Sequence, residues 1–286
     1  MDYRFVLVLF FTGVIHLVNT MAYSVRLAGV RTQRLAMAFS LWNVIFLLSS
    51  TANTIQAPLF GNILDDNIKY MTHGNMKLDM QVLATLPSYT ETLGHLEGLI
   101  RTILLSATVG TILGTILIPS FVKIFSQGIL AFERVGSVPR LIVMILHPAK
   151  FKGLVSQLHM PKVATIKRVA AQGIPRRLML INVIITGIYT TGILSSMYAG
   201  AINPRFSMTA VTLASIINGV ATVLLATLVD PKVAAITDQA LRGERLEEDV
   251  KTLSMYLAFS RIAGTLMAQV FFIPAAHIIV FVSARL

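Results

Sequence analysis

Hydrophobic positions along the chain gather into six long stretches, each close to the roughly 20 residues needed to cross about 30 Å of hydrocarbon. They fall near residues 5–21, 35–60, 100–121, 178–198, 208–229 and 255–282. The polar residues inside them are uncharged for the most part and recur every three or four positions, so each set shares a helix face. In the first stretch Thr12, His16, Asn19 and Tyr23 form one stripe that leads to Arg26; the second carries Ser49, Asn53 and Gln56 just before Pro58. The fifth shows Thr212, Ser215, Gly219 and Thr222, and the sixth shows Arg261, Thr265 and Gln269. This pattern predicts an all-α integral membrane protein with six transmembrane helices in one polytopic domain over residues 1–286.

Composition agrees. Apolar residues make up 55% of the 286 and charged residues only 13%, about half the share in soluble domains. With no cysteine in the chain, a disulfide framework or a Cys-ligated metal is excluded. A net charge of +11 would suggest nucleic acid for a soluble protein; here the placement of the charges matters more, and no nucleic-acid partner is expected. Connections after stretches one, three and five hold 17 Lys and Arg, whereas the other two connections and the two ends hold 5. The positive-inside rule then puts the odd connections in the cytoplasm and both termini outside. Only Arg4 precedes the first stretch while Arg26, Arg31 and Arg34 follow it, the reverse of a signal peptide, so a retained first helix is expected.

Two connections have room for structure of their own. The outer one, 61–99, carries Asp65, Asp66, Asp79, Glu91 and Glu97; the inner one, 123–177, sets Glu133 against ten bases. Within the inner one, 141–146 is apolar but too short to span, and Pro148, Pro161 and Pro175 punctuate the rest. Short helices lying in the cytoplasmic interface, against anionic lipids, fit this pattern; so does simple retention of positive charge inside.

The chain also resembles itself. Thr12-Gly13 and Thr186-Gly187 stand 174 apart, as do Arg31 and Arg205, while Pro58 and Asp65 precede Pro231 and Asp238 by 173. Gly110-Thr111 and Gly264-Thr265 are 154 apart, and Ile118-Pro119 precedes Ile273-Pro274 by 155. Three-span units must enter the bilayer with opposite polarity, so the expectation is two inverted repeats, 1–125 and 178–286, joined by the basic connection 126–177. Such repeats are common in secondary transporters, with the substrate site at their interface.

Familiar catalytic motifs are absent. The chain has no P-loop, no His-Glu-x2-His and no Gly-x-Ser-x-Gly, and no cofactor or enzymatic activity is expected. The polar stripes fit either a hydrated cleft or interhelical hydrogen bonding that holds the bundle together. Arg261 is more pointed, because a charge within the bilayer costs about 2.5–3.5 kcal/mol on insertion scales and so calls for an anion, water or the interface. Arg101 opens the third stretch, where it either anchors at the interface or joins the site; His16 is either a proton-sensitive group or a hydrogen-bonded neutral ring. Ser106, Gly110 and Gly114, and Ser260, Gly264 and Ala268, make ridges of small residues that fit either close packing of spans three and six or a seam between two copies.

The run Tyr23-Ser24-Val25-Arg26, then Gly29-Val30-Arg31-Thr32, followed by Thr51-Ala52-Asn53-Thr54-Ile55-Gln56-Ala57-Pro58, resembles the alternate lipid II flippase family, Amj, and the six-span pattern extends the likeness over nearly the whole chain. The resemblance implies a bacterial plasma-membrane flippase that carries lipid II, the undecaprenyl-diphosphate-linked precursor of peptidoglycan, from the inner to the outer leaflet. No residue roles come with the resemblance. The cargo itself calls for cations for its diphosphate and amides for its sugars, which makes Arg261, Asn53, Gln56, Gln269, His16 and Arg101 candidate binding residues, with Arg26, Arg31 and Arg34 as cytoplasmic capture groups. A carrier of a small anionic solute and a non-catalytic envelope assembly factor are the competing readings.

Overall fold

The computed structural model describes residues 2–75, 80–146 and 175–286. Among them, six helices are long and apolar enough to cross a membrane, one for each predicted stretch. We label the elements α1 (Tyr3–Thr32), α2 (Leu35–Met71), α3 (Met80–Leu83), α4 (Pro87–Val135), α5 (Val138–Leu146), α6 (Arg176–Ile202), α7 (Ser207–Leu224), α8 (Asp230–Leu241) and α9 (Glu247–Ser283). A π-helical turn, Leu225–Val229, joins α7 to α8 into one continuous rod. Pro231, just past this turn, has no N–H to donate and its ring crowds the carbonyl four residues earlier; the wider turn absorbs both.

Helix ends fall where local chemistry dictates. The Asp2 side chain accepts from the Arg4 N–H at the start of α1, Pro87 occupies the first turn of α4, and Glu247, Glu248 and Asp249 face the positive end of the α9 dipole. Gln33 closes α1 in the left-handed region at φ 54°, which allows a two-residue turn into α2. The helices run well past the apolar stretches. Much of the predicted outer connection 61–99 belongs to α2 and α4, because acidic residues do not stop a helix; the positive φ of His73 and Gly74 and then Pro87 do. Asp79 and residues 147–174 lie outside the described set, and α5 takes in the apolar run at 141–146.

Successive long helices alternate in direction, which ion pairs at the two ends make plain. At the basic end Arg34 pairs with Glu133 at 2.7 Å, Arg31 with Glu247 at 2.5 Å and Arg26 with Asp230 at 3.3 Å. At the acid-rich end Arg4 pairs with Asp66 at 2.9 Å, and the Tyr89 hydroxyl donates to the Ile202 carbonyl at 2.8 Å.

Packing follows one scheme twice. The most extensive interfaces are α1 on α4 and α6 on α9, followed by α1 on α2 and α6 on α7. Lipid tails are as apolar as leucine, so these contacts rest on close approach and hydrogen bonds rather than on the hydrophobic effect. A Cβ at Gly110 would lie 2.2 Å from the Gly13 carbonyl oxygen, and one at Gly264 would lie 2.7 Å from that of Val183 and 2.6 Å from Thr186. Beside the first crossing, Ser106 Oγ donates to the Leu9 carbonyl at 2.6 Å; beside the second, Asn182 Nδ2 donates to Ser260 Oγ at 2.7 Å. At each crossing one helix has to present a residue without a side chain.

Candidate functional site

Between the α1–α2 pair and the α6–α7–α8 group runs a cleft made of two adjoining cavities, of about 260 and 370 Å³. Asn19, Phe46 and Tyr189 line both, so the two are stages of one path. The larger cavity lies toward the basic end and is lined by Arg26, Asp230 and Arg261 together with Trp42, Asn182 and Thr222. The smaller continues toward the acid-rich end past His16, Asn53, Gln56, Thr190 and Asn218, to Phe60 and Met197.

Two of the predicted stripes form one wall. Thr12, His16, Asn19, Tyr23 and Arg26 on α1 all line the cleft, as do Ser49, Asn53 and Gln56 on α2. They are also stitched to each other: Gln56 Nε2 donates to Thr12 Oγ1 at 2.7 Å, and Ser49 Oγ donates to Asn19 Oδ1 at 3.2 Å. The hydrogen-bonding and cleft-lining roles therefore coexist, because a side chain with several polar atoms can hold its neighbour with one and face the cavity with another.

Polar groups across the cleft are less well satisfied. Buried atoms without a hydrogen-bond partner include His16 Nδ1, Thr190 Oγ1, Asn218 Oδ1 and Arg261 Nε, and all four residues line the cleft. Each such atom costs about 1–3 kcal/mol, more when charged, so their convergence marks a space built to receive polar matter. Arg261 forms no ion pair among the described residues, and its Nε is without a partner. The nearby carboxylate, Asp230, is engaged by Arg26 across the mouth of the larger cavity.

The cleft is not fully enclosed. Phe46 and Tyr189, which line both cavities, are each 46% exposed, and they sit about 17 and 20 Å along helices roughly 56 and 41 Å long, by rise per residue.

The other predicted residues lie elsewhere. Arg101 is ion-paired with Glu97 at 2.8 Å and donates to the Gln269 carbonyl at 3.2 Å, while Gln269 Nε2 donates back to the Arg101 carbonyl at 2.9 Å. This reciprocal clasp ties α4 to α9, and neither residue lines either cavity. Arg31 and Arg34 stand at the basic rim in their pairs with Glu247 and Glu133. On α7 only Thr222 of the predicted stripe reaches the cleft; Asn218, one turn away, does so in its place. Sequence reasoning passed over Asn218, Asn182, Thr190 and Asp230. A signal existed for Asn218 and Asn182, since a buried amide needs partners or a polar cavity.

Fold and site together define an integral membrane protein whose helices enclose a cleft that several buried polar side chains line. The family model described as Amj, Alternate to MurJ, matches residues 11–283, and the chain belongs to that family. A curated relative, "Lipid II flippase Amj" of Bacillus subtilis (strain 168), is 39% identical over 270 residues, covering 94% of this chain and 93% of the relative. No solved structure matches the chain.

Proposed function

We propose that this protein is a flippase that carries lipid II from the inner to the outer leaflet of a bacterial plasma membrane. The observation that carries the reading is the unpaired guanidinium of Arg261 in a cleft between helices whose lining residues Phe46 and Tyr189 are half exposed at mid-helix. A polyprenyl tail is soluble in the bilayer and its diphosphate sugar headgroup is not. Such a carrier needs a polar path with a side opening, through which the tail stays in lipid while the head crosses. A small-anion carrier has no use for an opening at mid-depth.

The excess of Lys and Arg at one end orients the bundle with that end in the cytoplasm, so both termini lie outside. Arg31 and Arg34 at the cytoplasmic rim attract the diphosphate, Arg26 meets it at the mouth, and Arg261 holds it within the cleft, where weak solvation strengthens the attraction. Cavities of about 260 and 370 Å³ sit near the lower end of the roughly 300–1,000 Å³ typical of sites for drug-sized ligands. A lipid-linked glycopeptide head needs more, so the structure is a closed state that must widen, and the Arg26–Asp230 pair is the latch on its cytoplasmic side. Asp230 follows directly on the π turn, whose altered hydrogen bonding makes it the pliable point of that rod.

We read the two halves as inverted repeats, which fits the same function. The crossings Gly13–Gly110 and Gly187–Gly264 connect residues that the offsets 174 and 154 make equivalent, and the order of interfaces repeats between 1–125 and 178–286. The cleft lies between the two units, where inverted repeats place substrates.

The test is rescue of lipid II exposure on the outer leaflet in cells depleted of their own flippase. The wild-type chain restores it and Arg261→Ala does not, although it reaches the membrane at equal level. Full rescue by the Arg261→Ala, Arg31→Ala double variant overturns the assignment.

A further inference from the structure

Along the cleft, charge and neutral polarity are segregated. Every Lys, Arg, Asp or Glu that lines it belongs to the larger, cytoplasmic cavity; the smaller has none. In their place the smaller cavity gathers four amides from three helices, Asn19 on α1, Asn53 and Gln56 on α2 and Asn218 on α7, with His16 and Thr190. His16 and Thr190 are 8% and 9% exposed, and His16 Nδ1, Thr190 Oγ1 and Asn218 Oδ1 have no partner. Asn218 Oδ1 is pressed against the bare backbone of Gly192, where a Cβ would approach to 2.5 Å, so the amide has little freedom to turn away. A phosphate here would meet no fixed cation lining this cavity. Hydroxyl and acetamido groups, which both donate and accept, would satisfy amides, a hydroxyl and an imidazole together.

We infer that the smaller cavity is a saccharide subsite, so that the lipid is held with its diphosphate at Arg261 and its sugar pointing outward. The inference rests on the flippase reading and deepens it. The sugar is the group bonded directly to the diphosphate, and the smaller cavity is the space that adjoins the cationic one. Sugar therefore leads and diphosphate follows during export, and the subsite selects glycosylated carriers over the bare polyprenyl diphosphate.

The single tryptophan of the chain, Trp42, lines the larger cavity and reports its occupancy by intrinsic fluorescence. Purified full-length protein in nanodiscs is titrated with undecaprenyl diphosphate and with the same lipid carrying an N-acetylated disaccharide. The disaccharide lipid binds more tightly, and Asn218→Ala removes that advantage, about 3- to 10-fold for one or two hydrogen bonds, while leaving the bare lipid unchanged. Arg261→Ala weakens both. Thr190→Val, of matching shape, repeats the Asn218→Ala result if that variant melts below the wild type. Equal wild-type affinity for the two lipids, or equal weakening of both by Asn218→Ala, overturns the subsite and leaves the flippase reading standing. Failure of wild-type protein to bind either lipid sinks the flippase reading itself.

Discussion

Neutralising the proposed latch with Asp230→Asn removes one charge and keeps the side-chain shape. In the structure Arg26 Nη2 lies 3.3 Å from Asp230 Oδ1, with the two side chains 21% and 51% exposed. Coulomb's law at an effective dielectric of about 20 gives roughly 5 kcal/mol at that distance. Exposed pairs measure only about 0–1 kcal/mol after solvation and side-chain entropy are counted. Asp230 is half in solvent and Arg26 largely buried, which places the pair near 1–1.5 kcal/mol, a 5- to 12-fold shift of the closed–open equilibrium toward open. Because the chain has no cysteine, a single Cys at Thr222, which lines the same cavity, can be labelled without background. With a membrane-impermeant thiol reagent applied to inside-out vesicles, Asp230→Asn should raise the labelling rate about 5-fold. The charge swap Arg26→Asp with Asp230→Arg should bring it back toward wild type. A rate that is unchanged or slower in Asp230→Asn would refute the latch, and a faster rate from the outer face alone would refute the orientation.

Gly110→Ala and Gly264→Ala should each lower thermal stability in detergent by about 1–2 kcal/mol, overpacking against backbone outweighing the gain in helix propensity. Gly128→Ala, with nothing within 4 Å, should be neutral or slightly stabilising in the same melt. Arg101→Ala should cost about 1 kcal/mol by opening the clasp to Gln269 and Glu97, and should still rescue lipid II exposure, since neither Arg101 nor Gln269 lines the cleft. Arg31→Ala with Arg34→Ala should slow export most at low ionic strength and least at high salt, as expected of capture by charges exposed to solvent.

Helix existence was legible from the sequence because the bilayer imposes a length of apolar residues that few other structures satisfy. The α1 and α2 stripes were legible too, since strict spacing of three and four marks a single face. On α7 the same rule misled. Thr212, Ser215 and Gly219 are exposed on the outside of the bundle, where a threonine hydroxyl satisfies itself on its own helix, as Thr212 does with the Thr209 carbonyl at 2.8 Å. Small hydroxylated residues can face lipid at little cost, whereas the amide of Asn218 cannot, so amides were the better guide. Gln269 obeyed the amide rule and still left the cleft, because Arg101 on a helix far away in sequence completes its hydrogen bonds. Such pairings depend on which helices neighbour one another, and hydropathy does not carry that information. Asp230 escaped notice because it stands just past the fifth apolar stretch, and only the π turn and the Arg26 pairing bring it to the mouth of the cleft.

On the repeat reading, the places where the two halves differ are as informative as those where they agree. The residue equivalent to Arg26 at an offset of 174 is Gly200, and the residue equivalent to Asp230 at 173 is Ala57. No latch can therefore form at the outer end by symmetry. That end is closed by apolar bulk: Phe60, Leu194 and Met197 are buried at the head of the smaller cavity. An ion pair at the entrance can be exchanged for a phosphate with little net loss of electrostatic energy, since one anion replaces another beside Arg26. An apolar plug offers a phosphate no such exchange and yields only when helices move apart. On the proposed orientation and subsite, the two ends respond to different events, the inner one to arrival of the anionic head and the outer one to rearrangement of the α2 and α7 rods around a sugar already in place. On this reading the two halves keep the same frame but different chemistry at each end, so the two gates open to different stimuli, while net direction is set by the gradient of the cargo between the leaflets.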